Sequence, residues 1–261
     1  MPQPLRNPQP HNARYVAIIA DGNRRWSGAR GVPLSAGYEA GADTLKARLH
    51  DAIELGVEEL TVYSFSTENW ARPAREIHEL IAVLAARIER ETPELHGEGV
   101  RMRFIGRREE TSTELGALMD CAESLTSANS RITLCIAFNY GGRAEILEAA
   151  KRFRGETEDE FRRCLYAPDL HDPDLIVRTG GERRLSNYLL WQAAYSELVF
   201  RDELWPDFSR TAFEESISQF GIRSRRFGGR AAQAPALEAP APAHRLAPRR
   251  VTTAVDDRSS R

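Results

Sequence analysis

Short apolar runs alternate along this chain with segments of helical periodicity, and this alternation limits the possible folds most strongly. Residues 15–20 (YVAIIA) form a short apolar run with β-branched residues, a composition that fits a strand buried on both faces better than a helix. The pattern predicts strands over residues 15–20, 60–64, 100–105, 132–138 and 175–177, further short strands over 189–191 and 198–200, and helices over 34–55, 73–91, 113–125, a stretch ending near 153, 157–165 and 211–220. This order predicts a single α/β domain with a mostly parallel central sheet flanked by helices.

Composition defines the limits of this domain. Of the 261 residues, 1–14 are Pro-rich and polar, and 230–261 are rich in Ala and Pro and then charged, so both segments are predicted to be disordered. The folded domain is predicted to span 15–229. A net charge of -2 argues against nucleic acid as a partner. Three scattered cysteines and the lack of a signal or membrane-spanning segment favour the cytoplasm, with at most peripheral membrane contact.

The first apolar run ends abruptly in a polar turn that contains Asp21, Gly22 and Asn23, followed by Arg24 and Arg25. Ligands of open α/β sheets bind outside the carboxyl ends of the strands. A carboxylate there is suited to a hard cation such as Mg2+, and guanidinium groups are suited to phosphate oxygens. A surface turn with solvated arginines explains this segment alone about equally well.

Two later strands lead into loops of the same chemistry. The second strand runs into FSTENWARP, and a later one runs into RTGGERRLSN. Because parallel strands end at one edge, these loops are expected to share an anion site with several guanidiniums, suited to two diphosphates. Alternatively, Ser66 or Thr67 caps the next helix, and Glu197 is a solvated carboxylate. The sequence contains no P-loop, Rossmann fingerprint, GxSxG or HExxH motif.

Five segments together resemble the cis-prenyltransferases, the family of undecaprenyl diphosphate synthase. They are AIIADGNRRW, TVYSFSTENWARP, FNYGGR, DLIVRTGGERRLSNYLLWQAAYSEL and RRFGG, in the family's order and across nearly the whole body. The resemblance implies Mg2+-dependent condensation of isopentenyl diphosphate with an allylic diphosphate, giving a Z-configured polyprenyl diphosphate, and a homodimer. It also implies an apolar tunnel walled by the helix after residue 34 and by Ile77, Leu80, Ile81, Leu84 and Ile88. From periodicity alone, ordinary core explains that stripe better.

The resemblance also assigns roles to individual residues. Asp21 would carry Mg2+ and assist departure of the diphosphate, with Glu197 as a second metal carboxylate. Asn69 occupies the family's proton-acceptor position, but a neutral amide is better suited to orienting a water or a diphosphate oxygen. Substrate contacts are expected from Gly22, Asn23, Arg24, Arg25, Trp26, Leu34, Tyr38, Ser66, Thr67, Glu68, Trp70, Arg72, Arg178, Arg184, Leu185 and Ser186.

Four positions depart from the family pattern. Tyr15, Tyr38 and Arg183 stand where the family commonly has His, and Leu34 stands where long-chain bacterial members have Arg. Leu34 removes one phosphate-binding guanidinium, and Arg183 cannot ligate Mg2+. These departures leave the diphosphate chemistry in place and bear on primer choice and product length.

Three alternative functions remain. A head-to-middle coupling enzyme of the lavandulyl type would share the fold, although the intact Ser66 to Asn69 segment and the set Arg178, Arg184 and Ser186 favour elongation. A non-catalytic partner subunit is disfavoured by the presence of Asp21 and Asn69. A binding protein for lipid diphosphates would show no metal-dependent turnover.

Overall fold

The computed structural model describes residues 13–222, which form one α/β domain. Its six strands are β1 (Tyr15–Ile19), β2 (Glu59–Tyr63), β3 (Val100–Ile105), β4 (Ile132–Ala137), β5 (Leu175–Arg178) and β6 (Glu197–Phe200). The seven α-helices of this range are α1 (Asn23–Arg30), α2 (Leu34–Glu54), α3 (Ala74–Gly97), α4 (Thr113–Thr126), α5 (Gly142–Arg152), α6 (Glu158–Arg162) and α7 (Arg210–Ile222). The predicted α/β class is therefore confirmed.

The strands form one sheet in the order β3-β4-β2-β1-β5-β6, and all their pairings are parallel. After β1 the chain first adds β2, β3 and β4 on one side of it, and then β5 and β6 on the other. The sequence therefore changes direction across the sheet at β1. In open α/β sheets, the crevice at the carboxyl ends of such strands is the usual place for a ligand.

Alternate residues of β1 belong to different hydrophobic cores. Val16 and Ile18 pack in the larger core, to which α2, α3, α4 and α7 contribute, while Ala17 and Ile19 pack in a smaller one on the opposite face. All four are at most 5% exposed. Burial on both faces explains why the strand is continuously apolar.

The main differences from the predicted elements are local. Helix α1 was not predicted, because its sequence NRRWSGAR has no apolar stripe. Close packing on α2 holds it: a Cβ at Gly41 would lie 2.6 Å from Asn23 Oδ1. Helix α3 continues to Gly97, through Pro93, beyond the predicted end near residue 91. The strand predicted over 189–191 is wrong, because these residues form turns and Leu189 has a φ of 43°.

The predicted disordered ends lie almost wholly outside the described residues. The exceptions are Ala13, which is fully buried, and Arg14, whose backbone N–H donates to Asp174 at 3.0 Å. These two residues are part of the folded domain, which begins earlier than the predicted boundary at residue 15.

Candidate active site

A polar cleft with about 1570 Å³ of empty space, including open solvent, lies at the carboxyl ends of β1, β2 and β5. Its lining carries five arginines and only two carboxylates, so it is electropositive. The sequence-predicted residues in this lining are Asp21, Gly22, Asn23, Arg24, Arg25, Tyr38, Ser66, Glu68, Asn69, Arg72, Arg178, Arg184 and Ser186. The three predicted loops therefore do converge on one site.

Asp21 lies at the centre of the charged groups that follow β1. Arg178 Nη2 donates to Asp21 Oδ2 at 2.9 Å, and Arg25 Nη2 donates to Oδ1 at 3.0 Å. The Thr179 hydroxyl accepts from the Asp21 backbone N–H and donates to its carbonyl, at 3.0 and 2.8 Å. The backbone is thus fixed, while the carboxylate is 30% exposed to the cleft.

Arg178 ends β5 and is a buried cation, with 4% exposure. Besides Asp21, it donates to the Ser186 hydroxyl at 2.7 Å and to the Arg184 carbonyl, but its buried Nε has no partner. Buried donors are normally satisfied, so an unpaired one beside a basic cleft is suited to a bound anion.

The loop after Arg184 has a strained backbone. Ser186, Asn187 and Leu189 have φ values of 49°, 63° and 43°, in the left-handed region that residues other than glycine rarely adopt. Such strain persists only where surrounding contacts hold it, and it concentrates at binding and catalytic sites.

Helix α1 begins at the cleft. The residue before it is Gly22, which has a φ of 125°. Because glycine has no side chain, this cap position cannot satisfy the first N–H groups of the helix. These groups and the helix dipole favour an anion at this end. The buried Oδ1 of Asn23 has no hydrogen-bond partner, and Asn23 also lines the cleft.

A 3-10 turn over Thr67–Ala71 presents the polar residues that follow β2. Asn69 Oδ1 accepts the Ser66 backbone N–H at 3.1 Å in a capping box, which leaves the amide NH2 of Asn69 as its available polar group. Glu68 accepts from Asn187 Nδ2 at 2.7 Å. Burial acts to raise the pKa of Glu68, but hydrogen bonds from Asn187 and neighbouring groups outweigh it and lower this pKa.

The α2 and α3 side of the cleft contains a buried tyrosine–carboxylate pair. Tyr38 OH donates to Glu76 Oε1 at 3.1 Å, and both residues are at most 7% exposed. Burial, and then the charge of Glu76, raises the pKa of Tyr38 to about 12. Tyr38 therefore remains a protonated donor at neutral pH.

A second cavity lies between α2 and α3 and the larger-core face of the sheet. It has about 910 Å³ of empty space, part of it open to solvent, and most of its lining is apolar. Leu80, Leu84 and Ile88 line it and also pack with the larger core, whereas Ile77 and Ile81 pack with that core alone, so the predicted stripe combines cavity wall and core. The cavity and the cleft share Ala20, Asn23, Tyr38, Tyr63, Ser64 and Leu80.

Several predicted substrate contacts lie beside the cleft lining. Trp26 Nε1 donates to Asp207 at 2.8 Å, and Trp70 Nε1 donates to Asn139 at 2.7 Å. Leu34 packs against the larger core and Leu185 against the smaller one. The Thr67 hydroxyl donates to Glu68 at 3.2 Å.

The two predicted metal ligands are not brought together within one chain. Glu197 begins β6 and pairs with Leu175 at the amino end of β5, whereas Asp21 follows the carboxyl end of β1. Through Leu175, Glu197 is level with Val16, which lies three residues before the end of β1. Asp21 lies beyond that end, so more than about 10 Å along the strand separates the two residues. Among residues 13–222, no group of three or more His, Cys, Asp or Glu side chains forms a metal cage.

Sequence reasoning did not select three polar residues of the cleft. Tyr63 and Ser64 lie at the end of β2, and Asn187 bonds Glu68 and the backbone N–H of Arg143. Asn187 had a signal in the sequence, since it ends the RTGGERRLSN segment. Burial raises the pKa of the Tyr63 hydroxyl above its usual value, so it stays protonated.

Comparison with known proteins agrees with this geometry. The family model of undecaprenyl diphosphate synthase matches residues 19–228. Isoprenyl transferase 2 of Bradyrhizobium diazoefficiens is 48% identical, covering 82% of this chain and 90% of its own. Isoprenyl transferase of Thermotoga maritima is 46% identical, covering 83% and 97%.

Two solved structures share the fold at 30% identity. Lavandulyl diphosphate synthase from Lavandula x intermedia, in complex with dimethylallyl diphosphate, has a TM-score of 0.80 and covers 83% of this chain and 98% of its own. A probable undecaprenyl diphosphate synthase from Campylobacter jejuni has a TM-score of 0.72 and covers 84% and 99%. Within residues 13–222, no helix has the length and apolar character needed to cross a bilayer. The chain therefore belongs to the cis-prenyltransferase family of isoprenyl transferases, the family of undecaprenyl diphosphate synthase.

Proposed function

We propose that this enzyme condenses isopentenyl diphosphate with an allylic prenyl diphosphate and releases a Z-configured polyprenyl diphosphate. The observation that carries the proposal is the continuity of two spaces. An electropositive cleft, suited to two diphosphates, opens through shared residues into an apolar cavity that suits a hydrocarbon chain. A free diphosphate needs only the first space, and a neutral lipid only the second.

In this reaction, the bond between C1 of the allylic substrate and its diphosphate oxygen breaks. The double bond of isopentenyl diphosphate forms a new carbon–carbon bond to that C1, and a proton is lost from the added unit. Negative charge develops on the leaving diphosphate, where Arg24, Arg25 and the start of α1 would stabilise it. Groups preorganised around developing charge supply the largest electrostatic contribution to catalysis.

The residues of the cleft fit Mg2+ held partly by substrate. Mg2+ typically takes one or two carboxylates together with phosphate oxygens and water, and Asp21 is a partly exposed carboxylate in a diphosphate-type cleft. We propose that Asp21 holds it. Bound there, Mg2+ would supply Lewis-acid stabilisation of the leaving diphosphate. Glu197 lies too far away to share that ion within one chain.

We assign isopentenyl diphosphate to the β5 side of the cleft. Arg178 offers its unpaired Nε, and Arg184 and Ser186 lie beside it. Asn69 then acts as a donor: its Oδ1 is engaged by the Ser66 backbone, so its NH2 group can orient a water or a diphosphate oxygen that accepts the proton. A neutral amide has no basicity for that task itself.

We also propose a cytoplasmic homodimer. The homodimer is what membership of this family implies. All three cysteines are free thiols, which suits a reducing compartment. Light scattering of the purified protein tests whether it is a dimer, and cell fractionation tests whether it is cytoplasmic.

The decisive experiment is a product assay. The protein is incubated with labelled isopentenyl diphosphate and, in turn, dimethylallyl, geranyl and farnesyl diphosphate, with Mg2+ or with a chelator. We expect a Mg2+-dependent ladder ending at one chain length, with Z geometry by nuclear magnetic resonance. A branched product would support head-to-middle coupling, whereas binding without turnover would support a lipid-diphosphate-binding protein or a non-catalytic subunit. The 46–48% identity to isoprenyl transferases, against 30% to the lavandulyl enzyme, favours elongation.

A further inference from the structure

Glu76 is a buried carboxylate that lies behind the wall of the cleft. It is 7% exposed and belongs to neither cavity lining, yet its contacts reach residues that do. Tyr38 OH donates to its Oε1 at 3.1 Å, and Arg72 Nη1 donates to the same oxygen at 3.0 Å. Arg24 Nη1 lies 3.6 Å from its Oε2.

These contacts join four parts of the molecule at one carboxylate. Arg24 belongs to α1, Tyr38 to α2, Arg72 to the segment between the 3-10 turn and α3, and Glu76 to the first turn of α3. A carboxylate in a first turn also stabilises its own helix, but that effect needs neither burial nor contacts from other elements. Burying a charge is costly unless it is paired, so the buried Glu76 carboxylate depends on its contacts with Tyr38, Arg72 and Arg24.

The partners of Glu76 lie where the cleft meets the apolar cavity. Tyr38 lines both spaces, and Arg24 and Arg72 line the cleft. The two arginine side chains are 76% and 38% exposed, so without Glu76 both would sample many rotamers. A binding site whose cations are already ordered loses less conformational entropy when its ligand arrives.

We propose that Glu76 is a positioning residue for the allylic diphosphate: its carboxylate holds Arg72 and Arg24 at the cleft and fixes Tyr38 at the junction with the apolar cavity. This inference rests on the proposed function. Glu76 itself does not touch the substrate. Isopentenyl diphosphate, assigned to Arg178 and Ser186 on the β5 side, is independent of it.

The test compares the two substrates in Glu76→Gln and Glu76→Asp. Gln removes the charge at constant size, and Asp keeps the charge but withdraws it by one methylene. We expect each variant to raise the KM of the allylic substrate about tenfold, equivalent to about 1.4 kcal/mol, with the KM of isopentenyl diphosphate within about twofold of wild type. A role limited to the helix start would be satisfied by Asp, and general damage would raise both KM values and lower the melting temperature.

A matched control is available one turn further along the helix. Glu79 forms an i,i+4 pair with Arg75, whose side chain is 91% exposed, and Glu79→Gln is expected to change neither KM. In an Arg72→Ala background, Glu76→Gln should add less than its effect in the wild type, because part of its route to the substrate is gone. Full additivity there would contradict action through Arg72.

Calorimetry with dimethylallyl diphosphate alone separates this inference from the proposed function, since binding requires no turnover. Weaker binding by about tenfold in both Glu76 variants, and unchanged binding in Glu79→Gln, supports the positioning role even in a preparation that forms no product. Wild-type affinity in the two Glu76 variants overturns it, whether or not the enzyme elongates.

Discussion

The amino and carboxyl ends of the same parallel strands carry similar charged side chains in different arrangements. At the amino ends, Arg14 pairs with Glu58, and Asp174 accepts the backbone N–H groups of Arg14 and Tyr15 at 3.0 and 3.1 Å. His171 contacts Glu59 through its ring, at 2.7 Å, and through its backbone N–H, at 2.8 Å.

At the carboxyl ends, the cations are in excess and the pairing is incomplete. The cleft lining carries five arginines and two carboxylates; each of these arginines has an ion pair, but the buried Arg178 Nε and Asn23 Oδ1 have no partner. Paired charges at one end fasten the strands, whereas unpaired groups at the other end form a site that an anionic ligand completes. The comparison teaches that charge content alone does not mark a site; incomplete pairing around a cleft does. If this comparison is correct, substitutions at the carboxyl ends of the strands should affect chemistry, and substitutions at the amino ends should affect stability.

Asp21→Ala gives the largest expected effect. We expect turnover to fall by about two to three orders of magnitude, because the residue would hold Mg2+ and lies among the groups that stabilise the leaving diphosphate. The fold should survive, since Asp21 lies beyond a strand end and outside both cores, and the buried Arg178 keeps its hydrogen bonds to Ser186 and to the Arg184 carbonyl. Steady-state kinetics and circular dichroism check the two halves of this prediction. Wild-type activity in this variant would reject the assigned site.

Leu84→Phe tests whether the cavity belongs with the cleft. Leu84 lines the cavity, so a bulkier side chain there should shorten the products, as should a bulkier residue at Ile88. Overpacking is expected to cost about 1–3 kcal/mol of stability. Ile81→Phe is the matched control, because Ile81 is also partly buried against the larger core on the same helix but lines neither cavity. Identical product lengths in both variants and the wild type would reduce the stripe to core.

Asp174→Ala is the converse of the Asp21 substitution. It removes the acceptor of two partly buried backbone N–H groups, so we expect a loss of about 1–3 kcal/mol in the free energy of unfolding with little change in either KM. Asp120→Ala is the control, because Asp120 is 71% exposed in a surface pair with Arg108 and should cost less than about 1 kcal/mol. Denaturant titration measures both. A selective loss of activity in Asp174→Ala would contradict this division of roles between the amino and carboxyl ends of the strands.

The smallest expected effect is a pH dependence at His171. The hydrogen bond to Glu59 raises the pKa of His171 above its usual value, although burial opposes the shift. The resulting stability is present in full below the unfolded-state pKa of about 6.5 and is lost as pH rises through the higher folded-state pKa. Because the ring is partly exposed, the contribution should stay below about 1 kcal/mol.

Unfolding of His171→Gln at pH 6 and pH 9 checks this effect. The variant should lose more stability relative to wild type at pH 6. His78→Gln, at an exposed position of α3, should show no such difference. A larger loss at pH 9 would reverse the assigned sign.

The sequence was sufficient for the strands and for most helices because burial on both faces imposes continuous apolar runs, and packing on one face imposes a 3.6-residue stripe. It was insufficient for α1, whose stability comes from packing on α2 through Gly41. It was misleading at Leu189, whose apolar neighbourhood reflects burial in the smaller core and not a strand. Neither context is encoded in local periodicity.

For the site, the rule that ligands bind at strand ends correctly grouped Asp21, Ser66, Asn69 and Arg178. It did not distinguish residues in the lining from those beside it, such as Trp26, because side-chain direction depends on helix rotation. The separation of Asp21 from Glu197 depends on strand register, which no motif provides. Glu76 gave no signal, because an acid in the first turn of a helix is ordinary.

The position of β1 between β2 and β5 determines when the site can form. The bond between Asp21 and Arg178 spans 157 positions of sequence, and that between Arg14 and Asp174 spans 160. During synthesis β1 to β4 leave the ribosome before β5, so one side of β1 can pair early while its other side waits. The contacts at the amino ends of the strands and those at their carboxyl ends therefore form in the same late event. A nascent chain therefore acquires the contacts that fasten its sheet and the arginine that completes its cleft together, and an incomplete chain has neither.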